Sequence, residues 1–201
     1  TEIYTLSLHD ALPILKPFLA SSIIQEVIVV VPEYQIESVH RDLLSMSAGK
    51  PVKVIAGGAR RQDSVKNGVT ASVSSATLVC IHDAVRPFVS ETLINNSIAA
   101  CSTADGAVVA LRSMDTVKFS ESGIVKETLN REKIWLVQTP QTFRKDKLIQ
   151  ALDHADAKGL TATDESYLME AMGFSVALVP GDINNFKITT MDDWKRAEYL
   201  I

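Results

Sequence analysis

Short apolar runs separated by segments of helical character constrain the fold of this chain more than any other feature of its sequence. The clearest run is Glu26–Pro32 (EVIVVVP), and Val52–Ala56, Leu78–His82 and Gly106–Leu111 repeat the pattern. Apolar runs of this length without alternation are typical of parallel strands that are buried on both faces. We therefore predict an α/β fold in which helices cover both faces of a mostly parallel sheet.

The segments between and after these strands complete the prediction. We expect a further strand over Ser175–Val179, and helices over Ile36–Met46, from Gln62, over Glu91–Cys101, over Lys145–His154, from Asp164 and from Met191. Alternating apolar residues flank the polar turn Ser120–Gly123, which predicts a β-hairpin over about residues 115–131. Such a hairpin would project from the sheet as an arm.

Length, charge and cysteine spacing exclude several classes of protein. With 201 residues, 46% of them hydrophobic, the chain can bury one sizeable core, and we predict a single domain. The formal net charge of -4 provides no overall positive field, which argues against a nucleic-acid partner. No stretch is long and apolar enough for a membrane span and the start has no signal-peptide pattern, so we expect a cytoplasmic protein. Cys80 and Cys101 lack the spacing of a zinc or redox site, and we expect both to be buried, reduced thiols.

The first fourteen residues, TEIYTLSLHDALPI, differ from the rest of the chain. They back-translate without a break onto a string that resembles a widely used short-read sequencing adapter. We therefore set Thr1–Ile14 apart as a non-native peptide and expect the natural sequence to resume near Leu15. The alternative is a genuine amphipathic segment, since its leucines and Ile14 could line one apolar face.

Two glycines directly follow the predicted strand Val52–Ala56, and a serine stands at the start of the next helix. Glycine allows a ligand to approach the backbone closely, and free N–H groups at a helix start favour an anion or a base edge. Gly57, Gly58 and Ser64 are therefore candidates for contact with an anion or a base edge. A plain strand-to-helix turn, capped by Asp63 or Ser64, explains the same residues.

The segment His82–Pro87 (HDAVRP) lies at the end of another predicted strand. Ligands of open α/β sheets bind outside the carboxyl edge of the strands, so Asp83 and Arg86 could together serve a metal–phosphate complex. The alternative is a structural ion pair between Asp83 and Arg86, with His82 as a core residue whose hydrogen bonds are satisfied.

Hydroxyls and cations that suit a phosphorylated polyol recur further along the chain. Thr116 and Arg131 flank the hairpin, and Thr139 begins the sequence TPQ. Arginine can hold a phosphate with two hydrogen bonds, although ordinary surface polarity also accounts for these residues. Thr163 precedes an acidic pair that equally suits a helix N-terminus. Lys187 lies in the apolar sequence NFKIT, which we interpret as a strand; a lysine there needs a partner, and a phosphate would be one.

Together, the motifs GGARRQDSV, HDAVRPF, DTVK, TPQTF, TDE and NFKIT, with the Arg131 position, resemble the 2-C-methyl-D-erythritol 4-phosphate cytidylyltransferase family over Leu15–Ile201. The resemblance implies a Rossmann-like fold of the nucleotide-diphospho-sugar transferase type. It also implies transfer of CMP from CTP to the 4-phosphate of methylerythritol phosphate, in the non-mevalonate isoprenoid pathway. Pyrophosphate would be released, and a divalent cation, usually magnesium, would take part.

The resemblance also implies roles for individual residues. Those that would contact the nucleotide are Gly57, Gly58, Ser64, Asp83 and Ala84, with Arg61 as a weaker candidate. Those that would bind the acceptor are Asp83, Arg86, Thr116, Arg131, Thr139, Thr163 and Lys187. Arg131 and Lys187 would be the catalytic pair that positions the acceptor phosphate, and Asp83 is the candidate metal ligand. Because the hairpin arm of the family crosses to a second subunit, we expect a homodimer in which Thr116 and Arg131 complete the neighbouring site.

The chain departs from the family's pattern at two places. Ala59 stands where relatives often have an acidic residue. At the N-terminus, the adapter-like peptide replaces the family's first strand, its Gly-rich loop and a Pro-Lys-Gln segment, so we expect the literal 201-residue chain to be inactive or nearly so. Two other functions stay open: a ribitol-5-phosphate cytidylyltransferase, and a non-catalytic nucleotide-binding fragment. Glu165 and the stretch Leu129–Glu132 favour methylerythritol phosphate over ribitol phosphate.

Overall fold

The computed structural model of the chain describes residues 8–44 and 49–200. In chain order its elements are α1 Leu8–Ala20, β1 Val27–Val31, α2 Ile36–Leu44, β2 Val52–Ala56, α3 Arg61–Ala71, β3 Leu78–Ile81, α4 Glu91–Ala100, β4 Gly106–Arg112, β5 Val117–Glu121, β6 Ile124–Leu129, β7 Trp135–Arg144, α5 Lys145–Lys158, α6 Glu165–Ala171, β8 Val176–Pro180 and α7 Met191–Glu198. Short 3₁₀ turns occupy Glu33–Gln35 and Arg131–Lys133.

The strands form a mixed arrangement around a four-stranded sheet. Its order is β3–β7–β4–β8, with β7 antiparallel to both neighbours and β4 parallel to β8. Strands β1 and β2 pair in parallel, and β5 and β6 form the predicted hairpin. The predicted α/β class and hairpin arm are thus confirmed, and β2 has the predicted bounds.

Helices pack on both faces of the four-stranded sheet because the side chains of β4 alternate between two apolar cores. Ala107 and Val109 belong to a core with residues of α1 and α4, among them Phe18 and Ile94. Val108 faces the opposite way, into a core formed with residues of α3, α5 and α6. All three of these β4 residues are buried. This confirms the prediction that helices cover both faces.

Strand β7 was not predicted, because much of it is polar. Gln138, Thr139, Gln141 and Thr142 are all buried in it. Their partners come from distant elements: Thr142 shares a 2.8 Å hydrogen bond with Ser97 of α4, and Gln141 donates to Asp164 at 3.0 Å. A polar segment can therefore lie inside the sheet because most of its buried polar groups find partners there, although Gln141 Oε1 has none among the described residues.

Two predictions about strands are wrong. Glu26–Pro32 and Leu78–His82 were expected to be fully buried, but every residue of β1 and β3 is only partly buried. Within the described ranges, β1 pairs only with β2 and β3 only with β7, so each has a single strand neighbour.

The segment NFKIT is not a strand. It begins at a turn in which the backbone N–H of Asn185 donates to the Asp182 carbonyl oxygen, and it leads into α7.

The N-terminal boundary predicted from the sequence falls inside a helix. Helix α1 begins at Leu8, so it includes the second half of the segment Thr1–Ile14 and continues past Leu15. Ile14 is buried in the core beside Phe18. Residues 1–7, and the end of the helix predicted over Ile36–Met46, lie outside the described residues. Across the described ranges no helix has both the length and the apolar character needed to cross a bilayer.

Candidate active site

A polar cleft of about 260 Å³ lies where the end of β3 meets the middle of β7. Its walls come from α3, the loop after β3, β7, the start of α6 and the segment before α7. Ten residues line it: Arg61, Asp83, Arg86, Val137, Gln138, Thr139, Gln141, Thr163, Asp164 and Lys187. Five of the predicted acceptor-binding residues, namely Asp83, Arg86, Thr139, Thr163 and Lys187, are among them.

The Asp83 carboxylate is the point on which the cations of the cleft converge. Lys187 Nζ lies 3.3 Å from Asp83 Oδ2, and Arg61 lies 3.3 Å from Oδ1. Arg86 Nε lies farther away, at 3.8 Å from Oδ2. Burial acts to raise the pKa of Asp83, but Lys187, Arg61 and Arg86 together hold it below its ordinary value. Arg61 is shared with the carboxylate of Glu165, whereas Arg86 and Lys187 have only Asp83 as a carboxylate partner among the described residues. Two cations on one carboxylate suit the binding of an additional anion.

Thr139 and His82 hold the backbone of the Asp83 loop. The Asp83 N–H donates to Thr139 Oγ1 at 3.0 Å, and Thr139 Oγ1 lies 3.0 Å from His82 Nδ1. His82 Nε2 lies 3.0 Å from the Arg86 carbonyl oxygen. Burial lowers the pKa of His82 to about 4, so the ring is neutral at physiological pH. The hydroxyl then donates to Nδ1, and Nε2–H donates to the carbonyl.

This network matches the alternative in which His82 is a satisfied structural residue. It also shows that the Thr139 hydroxyl, although predicted to bind acceptor, is engaged in two hydrogen bonds within the chain. Thr139 is 3% exposed. A direct contact of that hydroxyl with substrate stays a prediction, whereas its support of the Asp83 loop is part of the structure.

Arg86 lines the cleft and has one buried donor without a partner among the described residues. Its NH1 donates to the Asn185 carbonyl oxygen at 2.9 Å, but its buried Nε has no hydrogen-bond partner among the described residues. Burial lowers the pKa of Arg86, and Asp83 opposes that shift. A buried donor without a partner is costly, and Nε has almost no accessible surface through which a ligand could satisfy it.

Buried Asn185 fixes the segment that carries Lys187. Its amide donates to the Thr139 carbonyl oxygen at 2.8 Å and to Gln138 Oε1 at 3.3 Å. The Ile188 N–H donates to the Val85 carbonyl oxygen at 2.8 Å, which joins this segment to the loop after β3. The Lys187 side chain is 43% exposed and so remains accessible from solvent.

The turn between β2 and α3 is held by its own side chains. A Cβ at Gly58 would overlap the Cβ of Asp63, so only glycine fits there. The Gly58 N–H donates to Ser64 Oγ at 3.0 Å, and the Asp63 carboxylate accepts from the Arg60 N–H at 3.0 Å. The capping alternative is therefore present in the structure. The nucleotide contacts of Gly57, Gly58, Ser64 and the exposed Ala84 stay predictions.

Thr116 and Arg131 do not line the cleft of their own chain. Both are exposed beside the hairpin arm, and Arg131 NH1 donates to the Met114 carbonyl oxygen at 2.8 Å. Five of the seven predicted acceptor-binding residues therefore come together within one chain, and these two stay apart from them.

Sequence reasoning used Glu165 to choose between acceptors but gave it no place among the site residues, and it treated Arg61 as only a weaker candidate. The acidic pair after Thr163 was interpreted as a helix cap, and Asp164 does cap α6 by accepting from the Tyr167 N–H. Glu165, however, is buried and accepts from Arg61 NH1 at 2.7 and 2.8 Å. Nothing local in the sequence distinguishes a buried acid from an exposed first-turn acid. An arginine that follows the glycine turn was the only signal available.

The described residues contain no group of three or more His, Cys, Asp or Glu side chains that could hold a metal ion. Asp83 is the one cleft carboxylate that faces the cations, since Asp164 is engaged by Gln141, Ser166 and Tyr167. Magnesium is often held by one or two carboxylates with water and substrate phosphates. The residues present fit that mode and do not form an all-protein metal cage.

Comparisons with known proteins show which family this chain is related to. The family model of 2-C-methyl-D-erythritol 4-phosphate cytidylyltransferase matches residues 12–201. A protein of that name from Geobacter metallireducens is 39% identical over 191 residues, which cover 93% of this chain and 82% of the relative. The crystal structure of 4-diphosphocytidyl-2C-methyl-D-erythritol synthase from Anaerococcus prevotii is 30% identical with a TM-score of 0.88, and the match covers 99% of this chain and 91% of that one. The crystal structure of 2-C-methyl-D-erythritol 4-phosphate cytidylyltransferase from Thermus thermophilus is 33% identical with a TM-score of 0.77, and the match covers 99% of this chain and 91% of that one. This chain therefore belongs to the 2-C-methyl-D-erythritol 4-phosphate cytidylyltransferase family.

Proposed function

We propose that this chain transfers CMP from CTP to the 4-phosphate of 2-C-methyl-D-erythritol 4-phosphate and releases pyrophosphate. The observation that carries the proposal is the convergence of Arg61, Arg86 and Lys187 on Asp83 in one cleft. Both substrates are phosphate anions, and Arg61, Arg86 and Lys187 all line this one cleft. The names of the relatives supply the identity of the acceptor.

The reaction needs alignment and charge neutralisation rather than a covalent enzyme group. An oxygen of the acceptor phosphate attacks the α-phosphorus of CTP, a new P–O bond forms, and the bond to pyrophosphate breaks. Arg86 and Lys187 would hold the acceptor phosphate in line, because arginine offers paired donors and lysine a point charge. Fixed cations that neutralise the phosphate charge lower the barrier without reorganising in the transition state.

Asp83 would hold a divalent cation, with magnesium as our proposal, together with substrate phosphate oxygens and water. When bound, such a cation supplies additional neutralisation of the phosphate charge. Lys187 and Arg61, which contact Asp83 in the structure, would then be free to contact the phosphates.

We also propose a homodimer formed through the hairpin arm. Phe119, Ile124 and Val125 of the hairpin are all exposed, with Val125 at 56%, and Met114 beside it is 81% exposed. Apolar side chains on a projecting two-stranded arm favour burial against another chain. Arg131 stands at the base of this arm and outside its own cleft, which supports a role in the site of a second copy.

A cytoplasmic location is part of the proposal. The unpaired cysteines, Cys80 and Cys101, suit the reducing cytoplasm.

The experiment that tests the proposed reaction measures pyrophosphate release from CTP and magnesium with each of two acceptors, methylerythritol phosphate and ribitol phosphate. Two forms of the chain are compared: the 201-residue chain, and one in which residues 1–14 are replaced by the N-terminal segment of the Geobacter relative. We expect turnover with methylerythritol phosphate in the second form, because that segment restores the phosphate-binding loop the resemblance implies. Turnover only with ribitol phosphate would reassign the acceptor. Absence of turnover in a folded second form would leave a nucleotide-binding fragment.

A further inference from the structure

Glu165 is the buried acid beside the cleft, and the proposed reaction gives it no role. It is 1% exposed at the first position of α6. Both of its carboxylate oxygens accept from Arg61 NH1, at 2.7 and 2.8 Å. These are the lengths of strong, charge-assisted hydrogen bonds. The pair therefore fixes one end of the Arg61 guanidinium.

The other edge of the same guanidinium is loosely held. Arg61 Nε and NH2 lie 3.4 and 3.3 Å from Asp83 Oδ1, which is longer than the 2.7–2.9 Å typical of a charge-assisted bond. Arg61 lines the cleft, so this edge faces the space that a ligand would occupy. One side of Arg61 is thus anchored, and the opposite side retains capacity for another anion.

Charge and burial agree with an anchored cation. Burial opposes the charge on Arg61, but Glu165 and Asp83 raise its pKa above the ordinary value. Burial also raises the pKa of Glu165, and Arg61 opposes that shift. A buried ion pair of this kind adds little net stability, whereas removing one partner leaves an uncompensated charge. What such a pair can provide is a guanidinium held in a defined orientation before the ligand arrives.

We propose that Arg61 binds a phosphate anion in the cleft and that Glu165 is a positioning residue that acts through Arg61. The ligand class is a phosphate or pyrophosphate group. The proposal rests on the proposed function in one respect: the proposed reaction identifies the bound group as part of CTP or as the released pyrophosphate. Without the anchor, Arg61 turns onto Asp83, the two charges neutralise each other, and the affinity of the cleft for anions falls.

The alternative is that the Arg61–Glu165 pair only ties α3 to α6. Both roles predict that a Glu165 variant unfolds more easily. They differ in anion binding, because a purely structural tie leaves the affinity of the folded cleft unchanged. They also differ in additivity, because a residue that acts through Arg61 has no further effect once Arg61 is removed.

The test measures the binding of inorganic pyrophosphate to the full chain by isothermal titration calorimetry, alongside thermal unfolding. The variants are R61Q, E165Q, E165D and the double variant R61Q/E165Q. The control is D153N, which breaks a 2.8 Å ion pair made by Lys66, another α3 residue outside the cleft. We expect R61Q and E165Q each to weaken binding roughly tenfold, the double variant to be no weaker than R61Q, and D153N to bind as the parent does. E165D, which keeps the charge, should retain more affinity than E165Q.

Other results would overturn the proposal. Parental affinity in R61Q, or a parent chain that binds no pyrophosphate at millimolar concentration, removes Arg61 as an anion ligand. Lower thermal stability with parental affinity in E165Q reduces Glu165 to a structural tie. If E165Q does not fold, the double variant, which removes both buried charges, and E165D decide. The positioning role is rejected if the double variant binds pyrophosphate more weakly than R61Q, or if E165D binds it no better than R61Q. Pyrophosphate binding requires neither an acceptor nor turnover, so a failure of the proposed reaction is recognised separately.

Discussion

Lys187 Nζ lies 3.3 Å from Asp83 Oδ2, so the segment before α7 and the loop after β3 meet at one charged pair. Neighbouring residues fix the backbone on both sides of this pair. The Ile188 N–H donates to the Val85 carbonyl oxygen, and the side-chain amide of buried Asn185 donates to the Thr139 carbonyl oxygen. Because the Lys187 side chain remains 43% exposed, its ammonium is positioned without being enclosed. A phosphate that enters the cleft can therefore pair with the Lys187 ammonium in the position that this ammonium already occupies.

Replacing Lys187 with methionine should lower turnover. The substitution K187M keeps the length of the side chain and removes the charge that neutralises the phosphate in the transition state. Loss of a charge-assisted contact predicts a decrease of roughly tenfold to a hundredfold. The measurement is pyrophosphate release from CTP, either by the 201-residue chain or by the form in which residues 1–14 are replaced, whichever is active. Lys195→Met serves as the control, since Lys195 is exposed on α7 and pairs with Asp192. Equal rates in the two variants would remove Lys187 from the site.

Replacing Thr139 with valine should destabilise the chain, because valine keeps the shape and removes the hydroxyl. The Asp83 N–H and His82 Nδ1 then lose the partner that they share. A buried polar group without a partner costs about 1–3 kcal/mol, and we expect a loss of that order in the free energy of unfolding measured in urea. Thr139→Ser keeps the hydroxyl and should recover most of the loss. The loop-supporting role fails if the valine variant is as stable as the parent.

The elements with simple apolar patterns were predictable from the sequence. Strand β2 and the starts of α2, α4 and α5 lie where expected, because each depends on local periodicity. The sequence also placed Asp83 at the carboxyl end of a strand, where the cleft forms. Local signals were sufficient because in these segments burial and hydrogen bonding are arranged within a few residues.

The rest depends on partners that are distant in the sequence. Strand β7 is polar, and Gln141 can be buried only because Asp164 accepts from it. Lys187 was placed in a strand, although no strand of the described residues pairs with that segment and its position depends on Asn185. Glu165 resembles a surface acid until Arg61 is brought against it. No local pattern encodes these three pairings.

Mixing two variants of low activity should raise turnover if the hairpin arm completes the site of a second subunit. R131A damages the arm, and K187A damages the cleft. In a C2 dimer that contains one of each, one site has both intact residues and the other has neither. Random exchange makes half of the dimers mixed, so we expect about a quarter of the parent activity after the subunits are exchanged. The assay is pyrophosphate release before and after mixing, with the oligomeric state followed by light scattering. Absence of recovery in a mixture shown to contain mixed dimers would place both residues in the same subunit's site.

Acid should weaken the chain partly through Glu26, which joins the start of β1 to β2 and to the end of α3. Its side chain is 8% exposed, Lys53 Nζ lies 2.6 Å from Oε1, and the Val73 N–H donates to Oε2 at 3.0 Å. Burial acts to raise the pKa of Glu26, but these contacts, with Lys145 nearby, lower it below the ordinary value of 4.5. Below pH 4.5 the unfolded chain therefore binds a proton that the folded chain resists. The contribution to stability is fully present above that pH and is lost as the pH falls through the lower, folded value.

Glu26→Gln should accordingly lower the free energy of unfolding at neutral pH by about 1 kcal/mol and reduce its further loss in acid. The measurement is urea unfolding of the parent and the variant from neutral pH to below pH 4.5. Glu170→Gln, an exposed position on α6, is the matched control and should follow the parent curve. If the parent and Glu26→Gln curves stay parallel throughout, Glu26 does not link folding to protonation, and the acid sensitivity belongs to other carboxylates.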